Sequence, residues 1–489
     1  MPDSLTTQSE PAFVCHVGAN LRSACAGEPF YGELDGKRYC VLHFPGTNKS
    51  AEFQITFQEK LKRGDYDFRG VWFPNLLLFS TFTFGQEVNF GSAIFNGDAM
   101  FDSVTFERMA IFESCCFNAE ADFSSATFNK GANFNHVIFS GTANIRRVGF
   151  NDGAGFNDAV FIGPANFIAT EFAYAGFTAS TFNSHAYFRS AIFNKKANFT
   201  WSTFKTYVSF GGAVFNEEAD FANCSLNGET YFSDVTFRSY VTFAGTGGVE
   251  GVPPVFGDAA SLDLQFARIE NPSRFSFHTL SLRPHWFFNV DPRKFEFVNV
   301  DWLSSTDQEL ERLSAVDFGL RAPAHQLLAI ACRHLAVNAE ENHRYEEASE
   351  FRYLSMEARR LESWRGFAPW RLSWWYWLAS GYGERVRKAF VVLMSIWFVS
   401  GLLYTRVGFA RWEPKLASES DVAIARRDEV GAPLKFSRAL TYSVSVMTFQ
   451  KPEPRPATTA AQTIVLLETI LGPVQAALLA LAIRRKFMR

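Results

Sequence analysis

From Phe73 to Phe243 a bulky apolar residue returns at alternating intervals of five and six. Between Asn89 and Phe112, for example, phenylalanine stands at 90, 95, 101, 106 and 112. Ile145 and Leu226 substitute for it, and one extra five-step falls around Phe177. Two positions before nearly every such site sits a small or slim residue, among them Ala99, Val104, Ala110, Cys115, Ala126, Val137, Ser202 and Ala213. A period of about 5.5 fits neither the 3.6 of an α-helix nor the 2.0 of a strand, so the segment is not one amphipathic element extended along a line. The chain must turn at each step. If every five or six residues form one short side of a coil, the central Phe and the small residue before it point inward and the rest face water. Coils then stack with Phe upon Phe, and strand edges remain only at the two ends of the rod, as in β-solenoids.

This spacing resembles the pentapeptide-repeat family, in which Leu or Phe stands at the centre of five residues with a small residue two before it. The resemblance covers about 170 residues, with a weaker stretch at "RKFEFVNVDW", Arg293 to Trp302. It implies a right-handed, quadrilateral β-helix. Here every second step holds six residues, as in "FNKGANF" from Phe128 to Phe134, so corners or sides must absorb one more. Roughly 32 sites at four per coil predict about eight coils, or about 38 Å of rod at ~4.8 Å per layer. Burying each Phe contributes roughly 1.5 to 3 kcal/mol, which offsets much of the ordering cost of a coil. Cys115 and Cys224 occupy the small inward position and read as core thiols, and His136 and His185 receive no role. Some members of the family mimic DNA with a strongly acidic rod. Between 73 and 243 there are about 15 acidic and 9 basic residues, too weak an excess for that.

Past Trp302 the hydrophobic pattern changes to helical spacing. It predicts helices over 322–338 and 341–363, the second with a charge-paired outer face. Trp364, Trp370, Trp374, Trp375 and Trp377 then crowd together among basic residues, the composition of a headgroup-level segment. Two apolar runs follow, 389–404 and 460–483, the second interrupted only by Glu468. Arg385, Arg387 and Lys388 precede the first, and Arg484, Arg485, Lys486 and Arg489 follow the second. That bias predicts a multi-pass protein of the cell membrane with both termini cytoplasmic. The expected divisions are a cap over 1–70, the β-helix over 71–303, a helical linker over 304–363, an interface segment over 364–388 and a two-span module over 389–489.

Between the spans lies "FSRALTYSVSVMTFQKPEPRP", Phe436 to Pro456. Span, loop, short half-helix, return and span resembles the plan of the two-span potassium-channel family over about 100 residues. The end "LETILGPVQAALLALAIRRKF" also resembles membrane-bound pentapeptide-repeat proteins that carry such a module. A potassium filter needs glycines to aim successive carbonyls at the ion. The corresponding place here reads Thr448, Phe449, Gln450, Lys451, Pro452, Glu453, Pro454, Arg455, Pro456, without glycine. Potassium selectivity is therefore not expected. A nonselective or anion-tolerant pore and a sealed anchor both stay open, and Glu468 favours a polar interior or an oligomer contact over lipid.

The composition adds three bounds. With 489 residues, 47% apolar, and 54 Phe against 11 Trp and 14 Tyr, the chain is repeat-biased and long enough for several domains. A net charge of -3 and a pI near 6.3 argue against nucleic acid as a partner. No secretory signal opens the sequence, and seven cysteines are expected reduced. Cys40 and His43, three apart, have the spacing of two corners of a zinc tetrahedron, with Cys15 and Cys25 as the other pair and His16 able to replace either. Structural zinc and three free thiols in a cap are the two readings. No nucleophile elbow, phosphate loop or spaced carboxylate pair points to an enzyme. The expected partners are the lipid bilayer, further copies of the chain in a homo-oligomer such as a tetramer, and a cytosolic protein. Function lies between a channel-like pore regulated by the β-helix and a membrane-tethered scaffold that presents it.

Overall fold

A computed structural model describes residues 13–17, 24–25, 27–247, 253–303, 308–311, 323–361, 370–410 and 433–487. The chain divides into two compact units, Met1–Ser304 and Ser305–Arg489. Residue 322, residues 362–363, Trp364 and Arg489, which figure in the sequence expectations, lie outside the described residues.

In the first unit each five- or six-residue step contributes one two-residue strand, such as Thr105–Phe106. That strand pairs in parallel with the strand 22 residues on, Phe106 against Phe128 and Thr105 against Thr127. Repetition builds four parallel sheets of ten, eight, nine and nine strands, the four sides of a β-solenoid of about ten turns. Rings stack face to face along each column, Phe95 on Phe117 at 4.4 Å and 2°, and meet edge to face between columns, Phe101 on Phe112 at 5.5 Å and 86°. Both arrangements suit the aromatic quadrupole.

The alternation of five and six reflects two kinds of corner. At the five-residue corner the second residue after the Phe takes a left-handed conformation, as Ser92, Ser103, Ser114 and Ser125 do at φ between 56° and 60°. The amide of the next residue returns to the Phe carbonyl, Ala93 to Phe90 at 2.8 Å, closing a tight turn. The six-residue corner lies directly on the corner of the coil before. A Cβ at Gly163 would fall 2.2 Å from the carbonyl oxygen of Gly141, and one at Gly141 2.4 Å from that of Ala119. The extra five-step makes a single 21-residue coil, Phe161 to Phe182, whose rings still stack at 4.6 Å.

The solenoid is longer than the eight coils counted from regular spacing. The ten-stranded sheet runs on through Phe275–His278 and Glu296–Val298, and Asp301–Trp302 pairs with Ser281–Leu282. These last coils fill their interior with Trp286, Phe287, Phe295 and Phe297, which do not keep the five-six interval. At the other end helix α1, Ser50–Lys62, lays Phe53 and Phe57 on Phe73, Phe68 and Phe79 at 5.4 to 5.8 Å, covering the first coil.

The second unit is helical. Helices α2, Ala324–Glu341, and α3, Tyr345–Leu361, pack through Leu327, Leu328, Cys332, Leu335, Phe351 and Leu354. Helix α4, Leu372–Ser380, follows, with Trp375 54% exposed and Trp370 just before it 81% exposed. Helices α5, Val386–Tyr404, and α7, Thr459–Phe487, are long and apolar enough to cross a membrane, with mean hydropathy 1.7 and 2.0. Helix α6, Phe436–Met447, packs on both of them. The buried positions of α7 include Ala461, Glu468, Gln475 and Ala482, a seven-residue interval that fits near-parallel helix packing along its length.

Candidate metal centre and core of the C-terminal helical module

The first site grows from a hairpin. Strands β1, Phe30–Leu34, and β2, Lys37–Cys40, are joined by Asp35 and Gly36, both at positive φ, the Asp-Gly turn that suits strand twist. This delivers Cys40 at the end of β2. A turn follows at once, in which the amides of His43 and Phe44 return to the Cys40 carbonyl at 3.2 and 3.0 Å. His43 Nδ1 thereby reaches Cys40 Sγ at 3.1 Å. Cys15 approaches from the preceding segment, its Sγ 3.8 Å from that of Cys40, and Cys25 completes the group. One ligand atom from each of the four residues lies within 4.8 Å of the others, and all four residues are buried. His16 is exposed, its ring against Tyr39, and takes no part.

The donor set fits a metal ion. A tetrahedron with bonds of about 2.3 Å to sulfur has edges near 3.8 Å, the observed Cys15–Cys40 separation. His43 Nε2 lies 2.9 Å from the Arg69 carbonyl oxygen, the outer hydrogen bond that leaves Nδ1 as the donor to a cation. Hydrogen bonds with Cys25 and Cys40 hold the Cys15 thiol far below its ordinary range, while the same crowding drives Cys40 far above. Burial opposes charge on His43, but hydrogen bonds to Cys15 and Cys25 outweigh it and push the imidazole up to about 9. Lys49, unnoticed in the sequence, is fully buried beside them. Its Nζ donates to the carbonyls of Val41 and Leu42 at 2.7 and 2.9 Å and sits 4.7 Å above the Phe53 ring. Burial brings its ammonium down to about 7.

The second site is the interior of the C-terminal module that holds the two long apolar helices. Gly401 of α5 admits Leu440 of α6, since a Cβ there would fall 2.6 Å from Leu440 Cδ2, and Gly472 of α7 admits Met447 in the same way. Trp397 Nε1 donates to the Leu440 carbonyl at 3.1 Å. Into this close packing α7 places Glu468, 2% exposed. Tyr404 donates its hydroxyl to one carboxyl oxygen at 2.5 Å, and Ser443 donates to the other. Tyr404, Phe409 and Tyr442 pack beside it with ring centres 5.1 to 5.7 Å apart. Glu468 is thus held by Tyr404 and Ser443 of its own chain.

The residues at the filter position are arranged differently. Thr448 closes α6, its hydroxyl donating to the Val444 carbonyl at 2.9 Å. Phe449 stands at φ 59° and is 68% exposed. The Gln450 amide donates to the Ser445 carbonyl at 2.9 Å, Lys451 is exposed, and Glu453 lies 3.6 Å from Arg455. The return is tied to the end of α5, with the Ala410 amide on the Arg455 carbonyl at 2.9 Å and a bridge between Phe409 and Pro456. These six residues form a surface turn, separate from the buried Glu468.

At the opposite end of the two long apolar helices a charged cluster joins the module's helices. Glu384, just before α5, receives Arg352 of α3 at 3.0 Å and Arg485 of α7 at 2.9 Å, and Ser349 donates to it at 2.8 Å. Gln475 of α7 donates to the carbonyls of Ala379 and Ala389 at 2.7 and 2.8 Å. Compared with protein-family models, curated proteins and solved structures, the chain matches none of them.

Proposed function

We propose that the chain is a membrane protein whose two-span module assembles around a common axis into a channel-like pore, regulated by the Phe-columned solenoid. The solenoid and two helices fit for membranes support a membrane-tethered repeat protein. The observation that carries the finer reading is α6. At 12 residues it spans about 18 Å, too short to cross a bilayer, yet it packs between two helices that are long enough. A half-helix supported in this way is tolerated in a bilayer only where it lines a cavity or is enclosed by protein. The order of parts resembles the two-span potassium-channel plan, and the turn at 448–456 lacks the glycines for a potassium filter. The pore is therefore nonselective or anion-tolerant, and homo-oligomeric, a tetramer if it keeps the symmetry of the channel plan it resembles.

The basic ends of α5 and α7 meet at Glu384, which supports placing both on the cytosolic side with the solenoid. The Cys3His group holds structural zinc and clamps the cap on the first coil, a role without catalysis. Purified protein in a planar bilayer tests the pore: steps of current under an ion gradient, voltage or tension are expected. Silence under all three would leave the scaffold reading, in which the spans only anchor a protein-binding rod. That second reading draws on the self-satisfied Glu468, which asks nothing of a second copy.

A further inference from the structure

We infer that the solenoid binds a second copy of itself through one face, the two rods lying antiparallel across a two-fold axis at Tyr207; this rests on the homo-oligomer proposed above. The face belongs to the sheet in which Ala186–Tyr187, Val208–Ser209 and Glu229–Tyr231 follow one another in register. In earlier coils the outward positions of this sheet carry Asp122, Asn144 and Asn166. Here the face carries rings. Tyr207 lies 5.6 Å from Tyr187, 5.3 Å from Tyr231 and 5.6 Å from His185, ring centre to ring centre, so four aromatic side chains form one outer patch centred on its coil. Arg189 stands exposed at the edge of that patch. Tyrosine and arginine are the residues that interfaces favour.

Charge decides which molecule fits. One coil before Tyr207 the face exposes Arg189 and His185, and one coil after it the face exposes Glu229 and Asp234. Among the described residues no ion pair engages Arg189, His185 or Asp234. Burial raises the Asp263 carboxyl and the nearby Asp234 adds to it, so the acidic end gains from an incoming cation. A two-fold axis along the strands keeps each column of side chains in place and exchanges the coils before Tyr207 with those after it. Register then dictates the contacts between copies. Tyr207 meets its own copy, His185 meets Glu229, Tyr187 meets Tyr231, and Arg189 meets the Ser233–Asp234 corner. Two coils from the axis, Phe266, 55% exposed, comes against the small exposed Ala169. Every contact occurs twice, as an isologous interface requires. A uniformly acidic or basic partner would satisfy one end of the face and oppose the other.

The full-length protein is co-expressed as two tagged forms, one carrying Ser190→Cys and the other Ser233→Cys, extracted in neutral detergent and treated with a short bismaleimide. Within one chain these positions stand two coils apart, about 10 Å along the rod, and they become neighbours only between antiparallel copies. The product joining the two tags is expected about tenfold above either product joining like with like, with the wild type as baseline for native thiols. Arg189→Glu in both forms should lower it about tenfold, and adding Asp234→Arg should restore it. Equal yields of the three products, or a loss that Asp234→Arg does not restore, would overturn the pairing. Absence of all three would overturn it too and leave the face to another molecule. Native mass spectrometry of the same preparation counts the copies independently. A monomer would sink the homo-oligomer and the pairing together, whereas an oligomer without the preferred mixed product would sink the pairing alone.

Discussion

The solenoid and the two-span module use opposite interiors. The solenoid buries mainly rings and small residues, with aliphatics such as Ile145 and Leu226 among them, and hydroxyls in its columns are answered by its own backbone, as where Ser202 donates to the Phe177 carbonyl at 2.5 Å. The module turns its apolar residues outward, Leu466, Leu467, Ile470 and Leu471 being 49 to 61% exposed, and encloses Glu468, Gln475 and Ser443. Each region buries what its surroundings would reject. Water drives phenylalanine inward along the rod, whereas the hydrocarbon environment proposed above for the two apolar helices would give leucine no reason to hide and leave a carboxyl every reason to. The same substitution should therefore have opposite consequences in the two places.

The largest effect is expected where neither rule applies, at the cap that carries the Cys3His group. Structural zinc sites in small domains carry apparent binding free energies of roughly 10 to 16 kcal/mol, so Cys40→Ser, or chelation, should release one equivalent of zinc and free the cap. Inductively coupled plasma mass spectrometry and limited proteolysis over residues 27–62 report it. Cleavage confined to the cap, with the coils beyond Phe84 still protected, is the expected pattern; unchanged metal content in the variant would refute the centre.

Within the rod, Phe161→Ala removes a ring stacked between Phe139 and Phe182 at 5.0 and 4.6 Å. It should cost about 3 to 5 kcal/mol, with hydrogen exchange rising first in the coils that contain these rings. Phe398→Ala on α5, half exposed, should cost little in detergent. Comparable losses at both positions would erase the contrast. Next in size is Glu468. Glu468→Leu strands the hydroxyl of Tyr404 and leaves that of Ser443 only the Trp397 carbonyl at 3.3 Å; it should cost about 1 to 3 kcal/mol, read as a lower melting temperature in detergent, whereas Glu468→Gln keeps an acceptor and should cost less. Stabilisation by leucine would show that this position faces lipid after all.

The legibility of these features in the sequence follows their range. The five-six interval carries the rod because each inward residue repeats a local rule, and the 22-residue register is its arithmetic consequence. The final coils were undercounted because Trp286, Phe287 and Phe295 fill their space by shape, without an interval. Cys40 and His43 declare themselves through one tight turn, and Cys15 and Cys25 join them through contacts spacing only suggests. Lys49 was invisible, since a lysine opening a helix ordinarily points to water, and only the fold shows two carbonyls and a ring enclosing it. Glu468 stood out as a lone charge, but Tyr404 lies 64 residues away and no local pattern links the two.

The smallest effect is expected at Cys115, and it separates the solenoid's tolerance for polar atoms from the module's need of them. Its thiol is fully buried and donates to the Phe90 carbonyl at 2.9 Å, the bond that hydroxyls make three and four coils on at Ser180 and Ser202. Cys115→Ser preserves the donor, so it should cost under about 1 kcal/mol at pH 7. The pH dependence distinguishes the two side chains. Burial raises the thiol above its ordinary value, so the folded state keeps the proton while the unfolded chain loses it. The resulting stabilisation is complete below the ordinary thiol range and is lost as pH climbs from there toward the raised value, at about 1.4 kcal/mol per pH unit. Thermal melts from pH 7 to pH 10 should thus fall less steeply for Cys115→Ser than for the wild type. Parallel curves would mean that the column admits water, and with it that the rod's interior is less unlike the module's than its rings imply.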